Sequence, residues 1–223
     1  MDDASRTESK LDAEVSSPAL CDPLAAKGFD PPVADSPAPS SFVVHSHLRW
    51  DFVWQRPQQL FSRLARQSPI LFIEESLATD AEPHLAITEP QPNVVRIVPH
   101  VAPNVSTADA QSLETLRLLQ PALSSHPLLA GRFQRPVQWF YSPMPAPVML
   151  GQFNASCIVY DCMDELANFR FAPPDIVTRE QLLLTKAQVV FTGGYQLYAS
   201  KSRHHPHVHF YGCGVAAVHL PRA

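Results

Sequence analysis

The chain has 223 residues, and its 17 lysines and arginines against 21 aspartates and glutamates give a net charge of −4. This balance gives no electrostatic reason for broad binding to nucleic acid or to an anionic membrane, so we expect no nucleic-acid partner. Hydrophobic residues make up 45% of the chain and charged residues 17%, which is enough apolar material for a sizeable core.

Residues 1–40 differ in composition from the rest of the chain. They contain eight acidic residues against three basic ones, together with six prolines. Prolines at this density prevent a regular helix or strand, and the excess of acidic residues opposes burial. We interpret residues 1–40 as a disordered, acidic, proline-rich leader and place the folded domain at residues 41–223.

Short apolar runs alternate with helical patterns from residue 41 onward. The apolar runs predict strands at 42–44, 70–73, 94–98, 137–141, 157–160, 189–192 and 208–211, with a short extended piece at 84–88. Apolar residues at three-to-four spacing predict helices that begin at Arg56 and Pro174, that span 108–119, and that follow 142–147 and Gly194. This alternation predicts an α/β fold with a doubly wound, mainly parallel, Rossmann-like sheet that is covered by helices on both faces.

The scarcity of glycine excludes two common phosphate-binding motifs. No glycine lies between Leu48 and Ala130, where the first strand-to-helix turns must fall. Both the GxGxxG fingerprint and the Walker-type loop need glycines there, because backbone amides must approach the phosphates closely.

Cysteine usage and the N-terminus favour a reduced, cytoplasmic protein. The four cysteines form no CxxC pair, so neither a zinc knuckle nor a thioredoxin-like motif is supported. The N-terminus has no basic and apolar signal segment, and no run approaches the roughly 18 apolar residues of a membrane span. Peripheral association with the inner face of the membrane stays open.

A run of carboxylates follows the predicted strand at 157–160. Ligands bind at the carboxyl ends of strands in such a sheet, so Asp161, Asp164 and Glu165 are candidate site residues. We predict catalytic roles for Asp161 and Asp164, as a general base or as groups that orient a substrate hydroxyl, and substrate binding for Glu165. The alternative is that Asp164 and Glu165 only cap the next helix.

The loop at 45–57 is the densest polar and aromatic segment of the chain. Histidine, arginine, tryptophan and glutamine together suit sugar rings, because aromatic faces stack on C–H groups and polar side chains bind hydroxyls or phosphate. The alternative is a packed loop with Trp50 and Trp54 in the core. The predicted substrate-binding residues are His45, His47, Arg49, Trp50, Gln55 and Arg56, with Gly193 added from the loop after the strand at 189–192.

Other candidate chemistries have less support. His205, His207 and His209 alternate, but Cys213 is the only further ligand nearby, so we predict a solvated loop and no metal site. No GxSxG elbow supports a serine nucleophile, and the acids beside Cys162 disfavour its thiolate. Spacing alone makes Glu180 a surface residue.

Two segments carry a resemblance to a known family. Residues 42–60, FVVHSHLRWDFVWQRPQQL, resemble the "xxWDxxxQRPQxL" opening of bacterial group 1 glycosyltransferases, and residues 159–166, VYDCMDEL, resemble their "YDxxDE" segment. The stretch 179–192 is similar to the family's "E…ADxVxxxS", and 211–216 to its "P-x-G-V-D" turn. Gln188 and Ala216 depart from the aspartates of those two patterns. The resemblance spans residues 41 to about 220.

The resemblance implies the N-terminal, acceptor-side domain of a GT-B enzyme, in which two Rossmann-like domains face each other across a cleft. It implies transfer of a sugar from a nucleotide-sugar co-substrate to an envelope polysaccharide or lipid-linked acceptor, with no cofactor and no metal. Asp164 would lie near the reacting sugar, His45, Arg49 and Gln55 would line the acceptor cleft, and Gly212–Gly214 would lie by the interdomain hinge.

The sequence ends at Ala223, before the position of a second domain, so we expect a truncated chain that binds the donor only if that domain is supplied. The alternative is a truncated, non-catalytic module that binds a glycan or a partner chain, and homo-oligomerisation through the uncovered cleft face stays open. A receiver-like signalling domain is disfavoured by the length and by the lack of paired acids after the first strand.

Overall fold

A computed structural model describes residues 41–212 of the chain, in which nine strands form one sheet. The strands are β1 (Phe42–Ser46), β2 (Ile70–Glu74), β3 (Leu77–Ala78), β4 (His84–Gln91), β5 (Val94–Val101), β6 (Val137–Phe140), β7 (Cys157–Cys162), β8 (Val189–Thr192) and β9 (Val208–Phe210). The helices are α1 (Arg56–Leu64), α2 (Ala108–Ser125), α3 (Ala146–Met149), α4 (Ile176–Lys186) and α5 (Tyr195–Lys201), with a 3₁₀ turn at Leu166–Asn168.

The sheet is parallel except for one strand. Its order is β3-β5-β2-β1-β6-β7-β8-β9, and β4 pairs antiparallel with the outer side of β5. The central strand β1 lies between β2 and β6, with Val43 opposite Leu71 on one side and Gln138 on the other. The predicted α/β class and the mainly parallel, Rossmann-like sheet are therefore confirmed.

Helices cover both faces of the sheet, and each face has its own core. Alternate residues of a strand point to opposite faces, so Val43 belongs to one core and Val44 to the other. The first core packs the sheet against α2, α3 and α4 through Leu119, Met149 and Leu183. The second packs it against α1 through Phe61.

Several elements extend beyond their predicted ends. Strand β1 continues through His45 and Ser46, and β7 through Asp161 and Cys162, because the neighbouring strands offer backbone partners for these residues. Helix α2 continues past Pro121 to Ser125, and the two-residue strand β3 was not predicted. These extensions put His45 and Asp161 inside the sheet rather than in loops.

Some predictions fall outside the described residues. The leader at 1–40 lies there, as does most of the 211–216 turn and Cys213. Within residues 41–212, no helix is both long and apolar enough to cross a membrane.

Candidate functional site

A cavity of about 70 Å³ opens at the carboxyl ends of β1, β2 and β6, under α2 and α3. We call it the edge pocket. The carboxyl edge of a parallel sheet is the place where α/β proteins bind ligands. Most of its accessible lining is apolar, but polar side chains also contribute to it. Hydroxyl, imidazole and carboxylate groups come from His45, Ser46, His47, Glu74, Glu75, Ser76, Ser112, Thr115 and Ser142.

Two buried polar atoms in this wall have no partner. His47 Nδ1 and Ser76 Oγ are both shielded from solvent and make no hydrogen bond of standard geometry. Leaving a polar atom buried and unpaired costs about 1–3 kcal/mol, so such atoms in a cavity wall indicate a site that a polar ligand or water completes.

His47 is held mainly in its neutral form. Burial lowers its pKa, and this outweighs two effects that favour protonation, the Asp164 charge and a hydrogen bond between the imidazole and the Tyr141 backbone. The charge of Asp164 therefore acts on His47, although the two side chains form no hydrogen bond or ion pair. A neutral imidazole of this kind can accept a proton or a hydrogen bond from a hydroxyl group.

His45 forms the floor of the pocket and is locked by a buried amide. Gln138 Nε2 donates to His45 Nε2 at 3.0 Å and to the Met149 carbonyl at 2.9 Å, and the imidazole stacks on Phe140. Burial lowers the pKa of His45 to about 3. His45 therefore stays neutral, and because its Nε2 accepts from Gln138, it carries its proton on Nδ1.

The loop after β1 is anchored by the buried carboxylate of Glu74. Glu74 accepts the Trp50 backbone N–H at 2.8 Å and Arg49 Nη1 at 3.0 Å. Trp50 is buried against Phe72, so the structure gives this aromatic side chain a packing role in the second core. Arg49 also donates to the Glu75 carbonyl at 2.7 Å. Arg49 and Trp50, both predicted as binding residues, thus hold in place the loop that carries His47.

The QRPQ segment builds the start of α1. Gln55 is the N-cap, Pro57 occupies the first turn, and Gln58 Oε1 accepts the Gln55 backbone N–H at 3.0 Å. The buried Gln58 amide also donates to the Arg49 carbonyl at 2.9 Å. This segment therefore joins the helix to the loop above the sheet.

Arg56 and Asp161 form a buried ion pair that joins the two segments resembling glycosyltransferases, residues 42–60 and 159–166. Arg56 Nε donates to Asp161 Oδ2 at 2.9 Å, and Asp161 is fully buried. Burial raises the pKa of Asp161, and Arg56 opposes this. Arg56 also donates to the Tyr211 carbonyl. Tyr141 and Trp139 are buried beside Asp161, and their hydrogen bonds to its carboxylate also oppose the effect of burial on its pKa.

Asp164 and Glu165 follow β7 but take different positions. Asp164 is exposed, and its charge acts on His47. Glu165 turns toward α5, where Lys201 Nζ donates to its two oxygens at 2.9 and 3.0 Å. Burial raises the pKa of Cys162, the last residue of β7, to about 12, so its thiol stays protonated.

Glu165 belongs to a second group of polar residues, the Lys201 cluster (Lys201, Glu165, Glu180 and Tyr160). Lys201 Nζ donates to Glu180 Oε2 at 2.8 Å, and Tyr160 Oη donates to Glu180 Oε1 at 2.7 Å. Burial would lower the pKa of Lys201, but its hydrogen bonds with Glu180 and Glu165 outweigh burial and raise it. Its spacing in the sequence predicted Glu180 on the surface, but in the structure it is half-buried and paired with Lys201 and Tyr160.

The remaining predicted residues lie away from the pocket. Gly193 follows β8, and its amide donates to the Cys162 carbonyl at 3.1 Å. The ring of His205 is buried, with Nε2 3.1 Å from the Ala187 carbonyl and Nδ1 accepting from the His207 amide. Residues 41–212 contain no group of three or more histidine, cysteine or acidic residues that could hold a metal ion.

Sequence reasoning did not predict the buried polar residues that hold His45 and the loop after β1 in place. Gln138 is a polar residue inside an apolar strand, and that interruption was an available signal. Glu74 ends an apolar strand in the same way. Ser76, Ser112 and Thr115 gave no signal, because hydroxyl residues at such positions are common on any surface.

Comparisons with known proteins give only distant likenesses. No known family and no curated protein matches the chain. The solved structures similar to it include the E. coli trehalose-6-phosphate protein bound with UDP-2-fluoro glucose (14% identity, 73% of this chain, 42% of that chain, TM-score 0.43). Two trehalose-phosphate synthases follow, one from Burkholderia vietnamiensis (11%, 73%, 42%, 0.40) and one from Burkholderia multivorans (13%, 74%, 42%, 0.42). The chain spans about two fifths of the length of each.

Proposed function

We propose that this chain is the acceptor-side half of a GT-B glycosyltransferase, which transfers a sugar from a nucleotide-sugar donor to an envelope polysaccharide or lipid-linked acceptor. In this proposal the edge pocket binds one side of the acceptor sugar, because a cavity of about 70 Å³ is too small to enclose a whole hexose. The observation that carries the proposal is that both segments resembling the glycosyltransferases contribute to one edge of the sheet. The first supplies His47 to the pocket, and the second supplies Asp164, whose charge acts on His47.

The buried ion pair supports the same proposal. Arg56 of the first segment and Asp161 of the second are 105 residues apart in sequence, yet they bind each other at 2.9 Å. Removing a charged pair from water costs free energy, and this cost is offset only when the geometry of the pair is good and further hydrogen bonds complete it. Here it fixes the start of α1 against the end of β7. Asp161 therefore acts as a positioning residue, while the exposed Asp164 stays a candidate catalytic residue.

The pocket offers suitable chemistry for a sugar hydroxyl. The neutral His47 imidazole accepts a hydrogen bond from the hydroxyl, and Asp164 stabilises the imidazolium as the proton transfers. Ser76 Oγ, which makes no hydrogen bond within the described chain, donates to or accepts from a second hydroxyl. A departing diphosphate would be stabilised by groups of the donor-binding half.

Ligand-observed NMR on the purified chain tests this proposal. We expect hexoses and short oligosaccharides to bind in the millimolar range, and His47→Ala and Ser76→Ala each to weaken binding severalfold. His204→Ala and Ser124→Ala are matched controls, because both residues are exposed and lie outside the edge pocket. If no sugar binds, or if the controls weaken binding as much as the pocket variants, the proposal is wrong.

A second candidate, a non-catalytic module that binds a glycan or a partner chain, is favoured by a group of exposed apolar side chains. They follow β1, β7, β8 and β9 at the same edge of the sheet, and Phe171 is 88% exposed. A patch of this kind indicates a surface that another body covers. Its members are Phe52, Val53, Trp54, Phe169, Phe171, Tyr195 and Tyr211.

Titration with UDP-glucose gives a one-sided test of the two candidates. Binding of both the nucleotide sugar and an acceptor sugar favours the transferase, whereas binding of glycans alone agrees with both, because the acceptor-side half would need the donor-binding half to hold a nucleotide sugar. The molar mass in solution, measured by light scattering, adds a second test. A dimer that dissociates in a Trp54→Ser, Phe171→Ser variant would show that the exposed apolar patch pairs two copies of the chain.

A further inference from the structure

The charge around the edge pocket limits which sugars it can accept. We infer that the pocket selects an uncharged sugar or an amino sugar and rejects sugar phosphates and uronic acids. This inference rests on the proposed function, because it concerns the same pocket and the acceptor assigned to it there. It is carried by the charged groups that line the pocket and by those behind its walls.

No lysine or arginine lines the pocket within residues 41–212, whereas two carboxylates do. Glu74 is buried, and Glu75 lies at the mouth with part of its surface in solvent. Burial raises the pKa of Glu75, and the nearby Arg49 opposes this. A phosphate or carboxylate group entering the pocket would meet these acids without a facing cation.

The arginines on the Glu74 side of the pocket form ion pairs with carboxylates, although the buried Nε of Arg96 makes no standard hydrogen bond. Arg49 binds Glu74 at 3.0 Å, and Arg96 binds Asp51. Turning either arginine toward an anion would break an existing ion pair and leave a carboxylate without its partner.

On the side of the pocket formed by Met144, another arginine is also paired with carboxylates. Arg179 binds Asp109 at 2.5 Å, Asp175 at 2.6 Å and the Met144 carbonyl at 2.9 Å. Two carboxylates therefore surround a single guanidinium, so this group presents no excess positive charge to the pocket.

The histidines and the helix end do not supply a positive charge either. Burial keeps His45 and His47 neutral. Helix α2 starts at the pocket with Ala108, where the backbone amides would favour an anion. Its first turn also carries Asp109, and the Thr107 hydroxyl accepts the Ala110 amide at 3.2 Å. The acid and the cap oppose anion binding at this helix end.

An uncharged or amino sugar gains from the same groups. Its hydroxyls pair with His47 Nδ1 and Ser76 Oγ, which have no partner, while Ser112 and Thr115 present further hydroxyls from α2. An amino group binds Glu75 in a charge-assisted hydrogen bond. Selection thus comes both from attraction to polar neutral groups and from repulsion of anions.

Matched ligand sets built on glucose, galactose and mannose test this inference by NMR titration of the full chain at physiological salt. Each set contains the free hexose, the 2-amino sugar, the 6-phosphate and the uronic acid. We expect the hexose and amino sugar of at least one set to bind, and the phosphate and uronate of that set to bind at least about tenfold more weakly. Glu75→Gln should reduce this discrimination severalfold, whereas Glu82→Gln, at an exposed residue outside the pocket, should leave it unchanged.

The outcomes distinguish this inference from the proposed function. Tighter binding of a phosphate or uronate overturns the inference and leaves the pocket as a sugar site. Unchanged discrimination in Glu75→Gln also overturns it, because the charge of the pocket would then not set specificity. Failure of all twelve ligands to bind overturns both.

Discussion

The edge pocket and the Lys201 cluster both consist of partly buried polar residues at the carboxyl end of the sheet, but they differ in how their polar atoms are paired. In the cluster, Lys201 Nζ binds two carboxylates, and Tyr160 Oη completes the shell of Glu180. In the pocket, His47 Nδ1 and Ser76 Oγ have no partner. Fully paired buried groups contribute to stability, whereas unpaired groups in a cavity wall are available to a ligand. We therefore expect variants of the cluster to lose stability and variants of the pocket to lose binding.

The largest effect should follow from Lys201→Met. Removing the ammonium leaves Glu165 and Glu180 as neighbouring carboxylates without their cation, which should lower the free energy of unfolding by about 3 kcal/mol. Urea denaturation followed by circular dichroism measures this. Lys186→Met is the control, because Lys186 is exposed at the end of α4 and its loss should cost less than about 0.5 kcal/mol. Equal losses in the two variants would contradict the role assigned to the cluster.

The pH dependence of stability tests the buried state of His45. Its pKa in the folded chain is about 3, against an ordinary value of 6.5. Below about pH 6.5 the unfolded chain therefore binds a proton that the folded chain does not, and stability falls as the pH decreases toward 3. Between about pH 7 and pH 5 this should cost about 2 kcal/mol.

His45→Gln isolates this contribution, because a glutamine carbonyl can still accept from Gln138 but does not titrate. We expect unfolding free energies measured at both pH values to fall less in this variant than in the parent chain, by about 2 kcal/mol. Parallel pH profiles would show that His45 is not held neutral by burial.

A smaller loss is expected for Tyr160→Phe. The phenol donates to the Glu180 carboxylate at 2.7 Å, and a hydrogen bond to a charged group contributes about 1.5–3 kcal/mol. Because Lys201 still pairs with Glu180, we expect the lower end of this range in thermal and urea denaturation. Tyr195→Phe, at an exposed tyrosine in α5, should cause no measurable change. If both variants are equally stable, the Tyr160 hydroxyl does not contribute to the stability of the Lys201 cluster.

The smallest effect on stability should follow from Ser76→Ala in the pocket. Removing a buried hydroxyl that has no partner should change the free energy of unfolding by less than about 0.5 kcal/mol in either direction. The same variant should lose sugar binding severalfold, so that stability and binding separate at this residue. A large loss of stability would show that the Ser76 hydroxyl has a structural partner after all.

The sequence predicted segments for the site more readily than the role of each residue. It pointed to the loops after β1 and β7, and the structure places both loops at the same edge of the sheet, where the charge of Asp164 acts on His47. Spacing could not show that Trp50 turns inward or that Glu165 turns toward Lys201, because both orientations depend on distant partners. Glu74 and Gln138, which hold the pocket from below, are 64 residues apart and meet it only through the parallel pairing of β2, β1 and β6.

The sequence by itself determined the α/β class, because continuous apolar runs alternating with helical patterns suit a sheet buried on both faces. It also determined the absence of a glycine-rich phosphate loop between Leu48 and Ala130. Only the tertiary structure decided which polar residues are paired and which remain unpaired. Asp161 and Asp164 are alike in sequence, yet one is buried against Arg56 and the other is exposed. Strand pairing extends β7 through Asp161 and ends before Asp164, and that long-range contact is not encoded in local spacing.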